Sequence, residues 1–186
     1  MNFLKIFIAA GALFLVLASG AWYFYQTRPE AVINSFEKCA AAGNPVMESY
    51  PRQCRAPDGK IFAEYIGNEL ELQDFIRVHK PRPNALIKSP VIMEGEARGS
   101  WFDEGLMPVR FADEAGDTIV SATARAEGDW RKDDFVPFRL EVKYILSDSE
   151  PSRGLIILDK YNPEHKPASR EALLIPVIFE KSLPAE

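Results

Sequence analysis

The sequence predicts an all-β fold, an antiparallel β-sandwich preceded by a transmembrane helix and a small disulfide-stapled α+β microdomain. Three observations lead to this prediction. Residues 6–25 form an uncharged apolar run, two cysteines lie in a short turn-rich segment, and the remaining chain alternates short apolar runs with turn residues. The predicted boundaries are 1–28 for the membrane anchor, 31–66 for the microdomain, 67–74 for an acidic linker and 75–181 for the sandwich.

The apolar run at residues 6–25, IFIAAGALFLVLASGAWYFY, contains no charged side chain. A helix over these residues, rising about 1.5 Å per residue, is long enough for the roughly 30 Å hydrocarbon core of a bilayer. Lys5 precedes the run and an aromatic cluster ends it, which favours a cytoplasmic N-terminus and residues 26–186 outside the cytoplasm. The alternative is a signal peptide cleaved near residues 18–20, giving a secreted chain with an exposed aromatic terminus.

The two cysteines are Cys39 and Cys54. Asn34 and Glu37 have the spacing of a capping box, which predicts a helix of about two turns carrying Cys39, followed by a turn-rich return and a strand at residues 60–65. Such a fragment has little apolar surface, so a covalent link is useful to it. In an oxidising compartment we expect a Cys39–Cys54 disulfide, which contributes about 3 kcal/mol in the chain-entropy description.

A zinc site or a redox pair is the alternative interpretation of these cysteines. Their spacing is not that of a C-x-x-C motif, and the two histidines, His79 and His165, lie far away in sequence. No metal and no cofactor are therefore predicted. The stretch PVMESYPRQCRAPDGKIFAE resembles a short two-cysteine motif of membrane-anchored or secreted bacterial proteins, and a protease-inhibitor-like cysteine loop is a further alternative.

Beyond the acidic segment GNELELQD, short runs rich in strand-forming residues alternate with turn signals. Residues 138–145 alternate apolar and charged side chains, as a half-buried antiparallel strand does. Pro176 interrupts the last apolar run, which assigns that strand to an edge or a bulge. The predicted strands are 75–78, 91–97, 107–112, 118–126, 138–145, 155–158 and 173–179. Short strands without a long amphipathic helix indicate a β-sandwich of about 100 residues.

The same part of the chain resembles a known family. The stretches are IRVHKPRPNALIKSPVIMEGEARGSWFDEGLMPVRFADEAGDTI, AEGDWRKDDFVPFRLEVKY, GLIILDKYNPE and LLIPVIF. They are similar to the immunoglobulin-like domain of bacterial spore-germination (Gmad-type) proteins over residues 75–180. The resemblance implies an immunoglobulin-like sandwich outside the cytoplasm, for which no catalytic activity is established.

Few residues qualify as site candidates. The acidic residues from Asp103 to Asp134 lack the spacing of a calcium loop, and Asp113 and Asp117 flank a glycine as turn geometry requires. We interpret them as solvated turn residues rather than as calcium ligands or hydrolytic carboxylates. Trp101 and Trp130 are interpreted as packing residues, and the alternative is an exposed aromatic platform that stacks on sugars.

Catalysis and nucleic-acid binding are not expected. Ser100 and Ser121 lack a nucleophile-elbow setting, and the formal net charge of −5 does not suit a phosphate backbone. The sequence thus predicts a membrane-anchored, extracytoplasmic binding or scaffolding protein of the bacterial envelope. It would recognise an envelope protein or a cell-wall component through loops or strand edges, such as the edge at Pro176. The alternative is a cell-wall or carbohydrate-binding module that uses an exposed tryptophan.

Overall fold

The computed structural model describes residues 32–146, 152–161 and 171–180. The chain divides into two units, one ending at Glu64 and the other beginning at Tyr65. The predicted membrane segment, residues 6–25, lies outside the described residues. Within the described ranges, no helix combines the length and the apolar character needed to cross a membrane.

The smaller unit contains α1 (Phe36–Ala41), β1 (Val46–Met47), β2 (Gln53–Arg55) and β3 (Ile61–Ala63). Its strands form an antiparallel sheet in the order β1-β2-β3. The predicted N-cap, Asn34, is wrong by one position. Ser35 caps α1, because its hydroxyl accepts a hydrogen bond from Lys38 N at 3.3 Å. The strand expected at residues 60–65 is shorter than predicted, and β1 and β2 were not anticipated.

The larger unit is mainly β. Its elements in chain order are α2 (Glu69–Leu72), β4 (Ile76–Lys80), β5 (Leu86–Ile87), β6 (Val91–Arg98), β7 (Leu106–Asp113), β8 (Thr118–Ala126), β9 (Phe135–Val142), β10 (Ser152–Asp159) and β11 (Ala172–Phe179). Each of the predicted strands is present, although several ends are shifted. The additional strand, β5, lies in the proline-rich segment where the sequence offered no strand signal.

The strands of the larger unit form one curled sheet in the order β4-β6-β9-β8-β7-β10-β11-β5. This corrects the expected antiparallel sandwich in two respects. First, β8 pairs with β9 at Arg125–Arg139 and Ala126–Phe138, so the sheet is continuous. Second, β5 pairs with β11 in parallel, whereas the other neighbours are antiparallel. Strong twist lets a single sheet curl around its own core.

The core lies on the inner face of this sheet. Buried and more exposed residues alternate along β6, which shows the period of two expected for a strand with one buried face. The largest fully buried side chains are Trp101, Phe111, Phe138, Phe179, Ile76, Met93, Met107, Ile156, Leu158, Leu173, Ile175 and Val109. A Cβ atom on Gly154 would overlap the Ala112 carbonyl oxygen, so the strands approach closely only because this residue lacks a side chain.

The acidic segment 67–74 differs from the expected linker, because it packs within the larger unit. The amide of Asn68 forms two hydrogen bonds to β11: Nδ2 donates to Ala172 O at 2.9 Å, and Oδ1 accepts from Leu174 N at 2.7 Å. Leu72 packs against the core. These contacts make the segment an integral edge of the domain.

The charge of this segment does not indicate exposure, since Glu69 is buried. Its Oε1 atom accepts a hydrogen bond from Arg82 Nη2 at 3.2 Å. Burial raises the pKa of Glu69, and the neighbouring positive charge of Arg82 opposes that shift. A buried carboxylate with one cationic partner therefore accounts for part of the acidic run.

Tyr144, just beyond β9, connects two parts of the sheet that are distant in the strand order. Its buried hydroxyl lies 2.7 Å from Ile87 O and 3.0 Å from Glu180 O, and its backbone N donates to Ser89 Oγ at 3.0 Å. Its ring packs edge-on against Phe179 with centroids 5.3 Å apart. Tyr144 thus joins the β6–β9 side of the core to the β11–β5 side.

We expect Tyr144→Phe to lower the free energy of unfolding by about 1–2 kcal/mol, because the ring packing stays while the buried hydrogen bond of the hydroxyl is lost. Urea unfolding followed by circular dichroism measures the change. Tyr161→Phe is the matched control, since Tyr161 is exposed, and it should change stability by less than about 0.5 kcal/mol. Equal losses in the two variants would contradict the role assigned to Tyr144.

Candidate functional site

Trp101 lies at the end of a 3-10 turn, Gly99–Trp101, and its side chain has no exposed surface. The turn follows β6, and Tyr161 N donates a hydrogen bond to Trp101 O at 3.3 Å. The indole Nε1 is buried and has no hydrogen-bond partner in the part of the chain that the structure describes. This placement makes Trp101 a packing residue and excludes it as a sugar-stacking platform.

Trp130 is partly buried and covers a tight hairpin turn. In that turn Glu104 and Gly105 have φ of 48° and 78°, the positive values of a two-residue primed turn. The indole of Trp130 lies over Gly105, where an added Cβ would be 3.1 Å from its Cδ1 atom. The guanidinium carbon of Arg131 is 5.1 Å from the ring centroid. Trp130 also packs against the main core, so its ring joins the turn to that core.

The acidic residues have turn roles of the kind that the sequence indicated. Asp113 Oδ1 accepts from Asp117 N at 2.8 Å, and Gly116 between them has φ of 90°. Asp129 Oδ1 accepts from Arg131 N at 3.2 Å. Among the described residues, no three His, Cys, Asp or Glu side chains are grouped as a metal site would need.

The candidate nucleophiles and bases are not assembled into a site by the described residues. Ser121 is exposed on β8 and His79 is exposed on β4, and strands β6 and β9 lie between these two strands. Ser100 is exposed in the 3-10 turn. His165 lies outside the described residues.

The disulfide is present. Cys39 in α1 and Cys54 in β2 are bonded, with their Cα atoms 6.0 Å apart and both side chains fully buried. They form the centre of the small core together with Phe36 and Ala56. The predicted pairing is therefore confirmed, and it joins the helix to the middle strand of the small sheet.

The Pro176 edge, which was expected to be open for recognition, is covered by the chain itself. Pro176 is buried, and its carbonyl accepts from Asn84 N at 2.7 Å. The residues that follow it in β11 pair with β5. The prediction correctly identified a position without a regular partner strand, but the segment before β5 occupies that side of β11.

Among the described residues, an unpaired edge occurs instead along β8. Glu127 N donates to Pro137 O at 2.7 Å. Backbone groups alternate in direction along an antiparallel strand, so Arg125, Thr123 and Ser121 point to the same side as Glu127. Arg125 is in register with β9, but no strand lies beside Thr123 or Ser121 within the described ranges.

Side-chain burial agrees with this assignment. Val120 and Ala122 face the core but remain partly exposed. Their cross-strand neighbours on β7, Phe111 and Val109, have no exposed surface. The inner face of β8 is therefore covered less completely than that of β7, which is consistent with an absent neighbour strand.

The composition of the β8 edge also differs from that of the other edges. Residues 118–124, TIVSATA, contain neither charge nor proline, the features that usually protect an edge. By contrast, β4 carries Arg77, His79 and Lys80 and has a register shift, and β5 is only two residues long. Sequence reasoning assigned residues 118–126 to a strand but could not show that its pairing partner ends early.

Two arginines face each other where β8 and β9 separate. Arg125 and Arg139 are directly opposite in the register, an arrangement that like charges disfavour. Arg139 Nη1 lies 3.5 Å from Glu94 Oε1, whereas Arg125 makes no ion pair in the described part of the chain. The end of the unpaired edge thus offers a cation to an incoming acidic group.

The comparisons with known proteins bear on the larger unit. Residues 75–164 match the family model described as Gmad2, the immunoglobulin-like domain of bacterial spore germination. Neither the search of curated proteins nor the search of solved structures gave a match. The matched range begins just before β4 and extends past β10, while β11 and the Asn68 segment lie outside it. The chain therefore contains a Gmad2 immunoglobulin-like domain of bacterial spore germination at residues 75–164.

Proposed function

We propose that the chain is a recognition module held outside the bacterial cytoplasm, acting by binding and not by catalysis, with the unpaired edge of β8 as its binding element. That edge, residues 118–124, is the observation that carries the proposal. An exposed strand edge binds an extended segment through main-chain hydrogen bonds, and the side chains beside it set specificity.

The location outside the cytoplasm is supported by two features. The Cys39–Cys54 disulfide is of a kind that persists in oxidising compartments. The apolar segment at residues 6–25 has the length of a membrane anchor. An anchored module would stay at the membrane surface, which suits a scaffolding role in the envelope.

Arg125 would select among segments that can add to the edge. It is exposed, lies beside Arg139 and has no ion pair within the described residues, so an acidic side chain near it would relieve the repulsion. The exposed side chains of Ser121 and Thr123 are small and admit close approach of a second backbone. The geometry therefore favours an extended, acid-containing protein segment as ligand.

Site-specific photocrosslinking in intact cells tests the binding element. A photoreactive amino acid at position 123 of the full chain should give a discrete protein adduct, whose yield falls several-fold when Arg125→Glu is added. The same amino acid at position 79, on the charged and bulged edge of β4, is the control and should give little product. Equal adducts at both positions, or none at 123, would refute the assignment of the edge.

The location is tested separately with a membrane-impermeant thiol reagent. Ser100→Cys, away from the β8 edge, adds one exposed thiol to a chain whose own cysteines are bonded. In intact cells we expect labelling of position 100, and labelling of the native cysteines only after reduction. If labelling requires permeabilised cells, the chain does not lie outside the cytoplasm.

A further inference from the structure

We infer that the smaller unit docks on the lipid headgroup region of the membrane through the outer face of its three-stranded sheet. The outer face consists of the side chains of Met47, Gln53, Arg55, Ile61 and Ala63. This inference rests on the anchored location in the proposed function and is independent of the β8 edge. It is carried by the register, exposure and charge of this face and by the short connection to the apolar segment.

The register of the small sheet divides its side chains between two faces. Cys54 in β2 is bonded to Cys39 of α1, so the face that carries Cys54 is covered by the helix. Gln53 and Arg55 point to the opposite face, because successive side chains of a strand alternate. The cross-strand partners of these two residues complete that face, and they are Met47, Ala63 and Ile61.

The outer face presents apolar side chains that have no cover among the described residues. Ile61 is 49% exposed and Met47 is 37% exposed. Ala63 is also exposed. On the other face of the same sheet, Cys54 has no exposed surface. Binding to a lipid interface increases with the apolar area that it removes from water, so these side chains favour contact with the boundary between headgroups and acyl chains.

The charge of the outer face suits an anionic lipid surface. Its single charged side chain is Arg55, which is exposed and makes no ion pair with another described residue. Two acidic residues of the same unit are paired away from this face, Glu64 with Arg52 at 2.6 Å and Asp58 with Lys60 at 3.0 Å. The chain as a whole has a formal net charge of −5. A face without carboxylates therefore avoids the repulsion that much of the chain would meet at anionic lipid.

The connection to the apolar segment keeps the outer face near the bilayer. Ile33 already packs against the small core, so residues 26–32 are the whole connection between that core and the apolar run at residues 6–25. These seven residues span at most about 25 Å even when fully extended. Such a short tether gives the face a high effective concentration at the lipid surface. A weak attraction is then sufficient for docking.

Fluorescence quenching of the full chain in bilayers of phosphatidylethanolamine and phosphatidylglycerol tests the docking. An environment-sensitive dye on Ile61→Cys should shift to the blue, and lipids that carry a nitroxide at the headgroup should quench it several-fold more than the same dye on Ala41→Cys. Ala41 is the matched control, because it is exposed at the end of α1, on the covered side of the sheet. Equal quenching at both positions, or none at position 61, would overturn the inference.

Charge reversal supplies a second set of variants, with the dye on Ala63→Cys. Arg55→Glu should lower the ratio of docked to undocked units by about fivefold or more, because a basic side chain next to anionic lipid becomes an acidic one. Lys38→Glu makes the same change of charge on the exposed surface of α1 and should stay within about twofold of the parent. Equal losses in the two variants would show that net charge and not the outer face controls the contact, and would overturn the docking.

The outcomes separate this inference from the function on which it rests. A chain that floats with the vesicles and is labelled at Ser100→Cys in intact cells, but shows no quenching at position 61, overturns the docking and leaves the location in place. A chain that does not float with the vesicles overturns both the docking and the anchored location. A blue shift at position 61 without a response to nitroxide lipid means that a second copy or another protein covers the face, and it overturns the lipid assignment.

Discussion

Replacing both cysteines, Cys39→Ala with Cys54→Ala, is expected to unfold the smaller unit and leave the larger one folded. The bond closes a loop with a sequence separation of 15, and its loss removes about 3 kcal/mol from the folded state. The buried cluster of this unit consists of Phe36, Ala56 and the two cysteines themselves. Such a core cannot offset that loss. The larger unit has its own core and does not depend on the bond.

Limited proteolysis with trypsin measures this effect, because the smaller unit contains exposed cleavage sites at Lys38, Arg52, Arg55 and Lys60. A loss of about 3 kcal/mol corresponds to a roughly hundredfold rise in the unfolded fraction, and therefore in the cleavage rate at these sites. Reduction of the parent chain should have the same effect. Ser35→Ala, which removes only the helix cap, should raise cleavage much less. Parental cleavage rates in the double variant would contradict the structural role of the bond.

Trp101→Ala should lower the free energy of unfolding of the larger unit by about 3–5 kcal/mol, the range typical of a buried aromatic side chain replaced by alanine. Trp101 has no exposed surface and lies in the main core, so the substitution leaves a large cavity. Trp101→Phe should cost less than half as much, because the ring is partly retained and the unpaired buried Nε1 is removed.

Guanidinium unfolding monitored by circular dichroism gives these values. Trp130→Ala is the matched control, because Trp130 is partly exposed and packs on the Gly105 turn. We expect about 1–2 kcal/mol for it. If Trp101→Ala and Trp130→Ala were equally destabilising, Trp101 would not be the central packing residue that the structure indicates.

Much of the strand content could be predicted from the sequence, because one-sided burial leaves a period of two in residues such as those of β6 and β9. The proline-rich segment concealed β5, whose two residues are held by β11 rather than by a local pattern. The curl of the sheet could not be predicted, because it depends on the two register pairs between β8 and β9. Pairing between distant residues leaves no local signal.

The site was predictable where it depends on local chemistry. The Cys39–Cys54 bond followed from composition, and the turn roles of Asp113 and Asp117 followed from the glycine between them. The edge at Pro176 was wrongly expected to be open, since only the structure shows that Asn84 reaches it. The unpaired edge of β8 was not predicted, because the sequence of β8 is that of a strand paired on both sides. Only the register with β9 shows where the pairing stops.

The two hydrogen bonds between Asn68 and β11 have a consequence for folding kinetics. The side-chain amide of Asn68 forms hydrogen bonds with Ala172 and Leu174, which lie 104 and 106 positions later in the chain. Closing so long a loop is entropically costly, and proteins dominated by such distant contacts fold slowly. The newly synthesised domain therefore reaches its native state only after nearly all of it has been made. Until then β5 and Asn68 have no β11 beside them, so the nascent chain exposes groups that the folded domain covers.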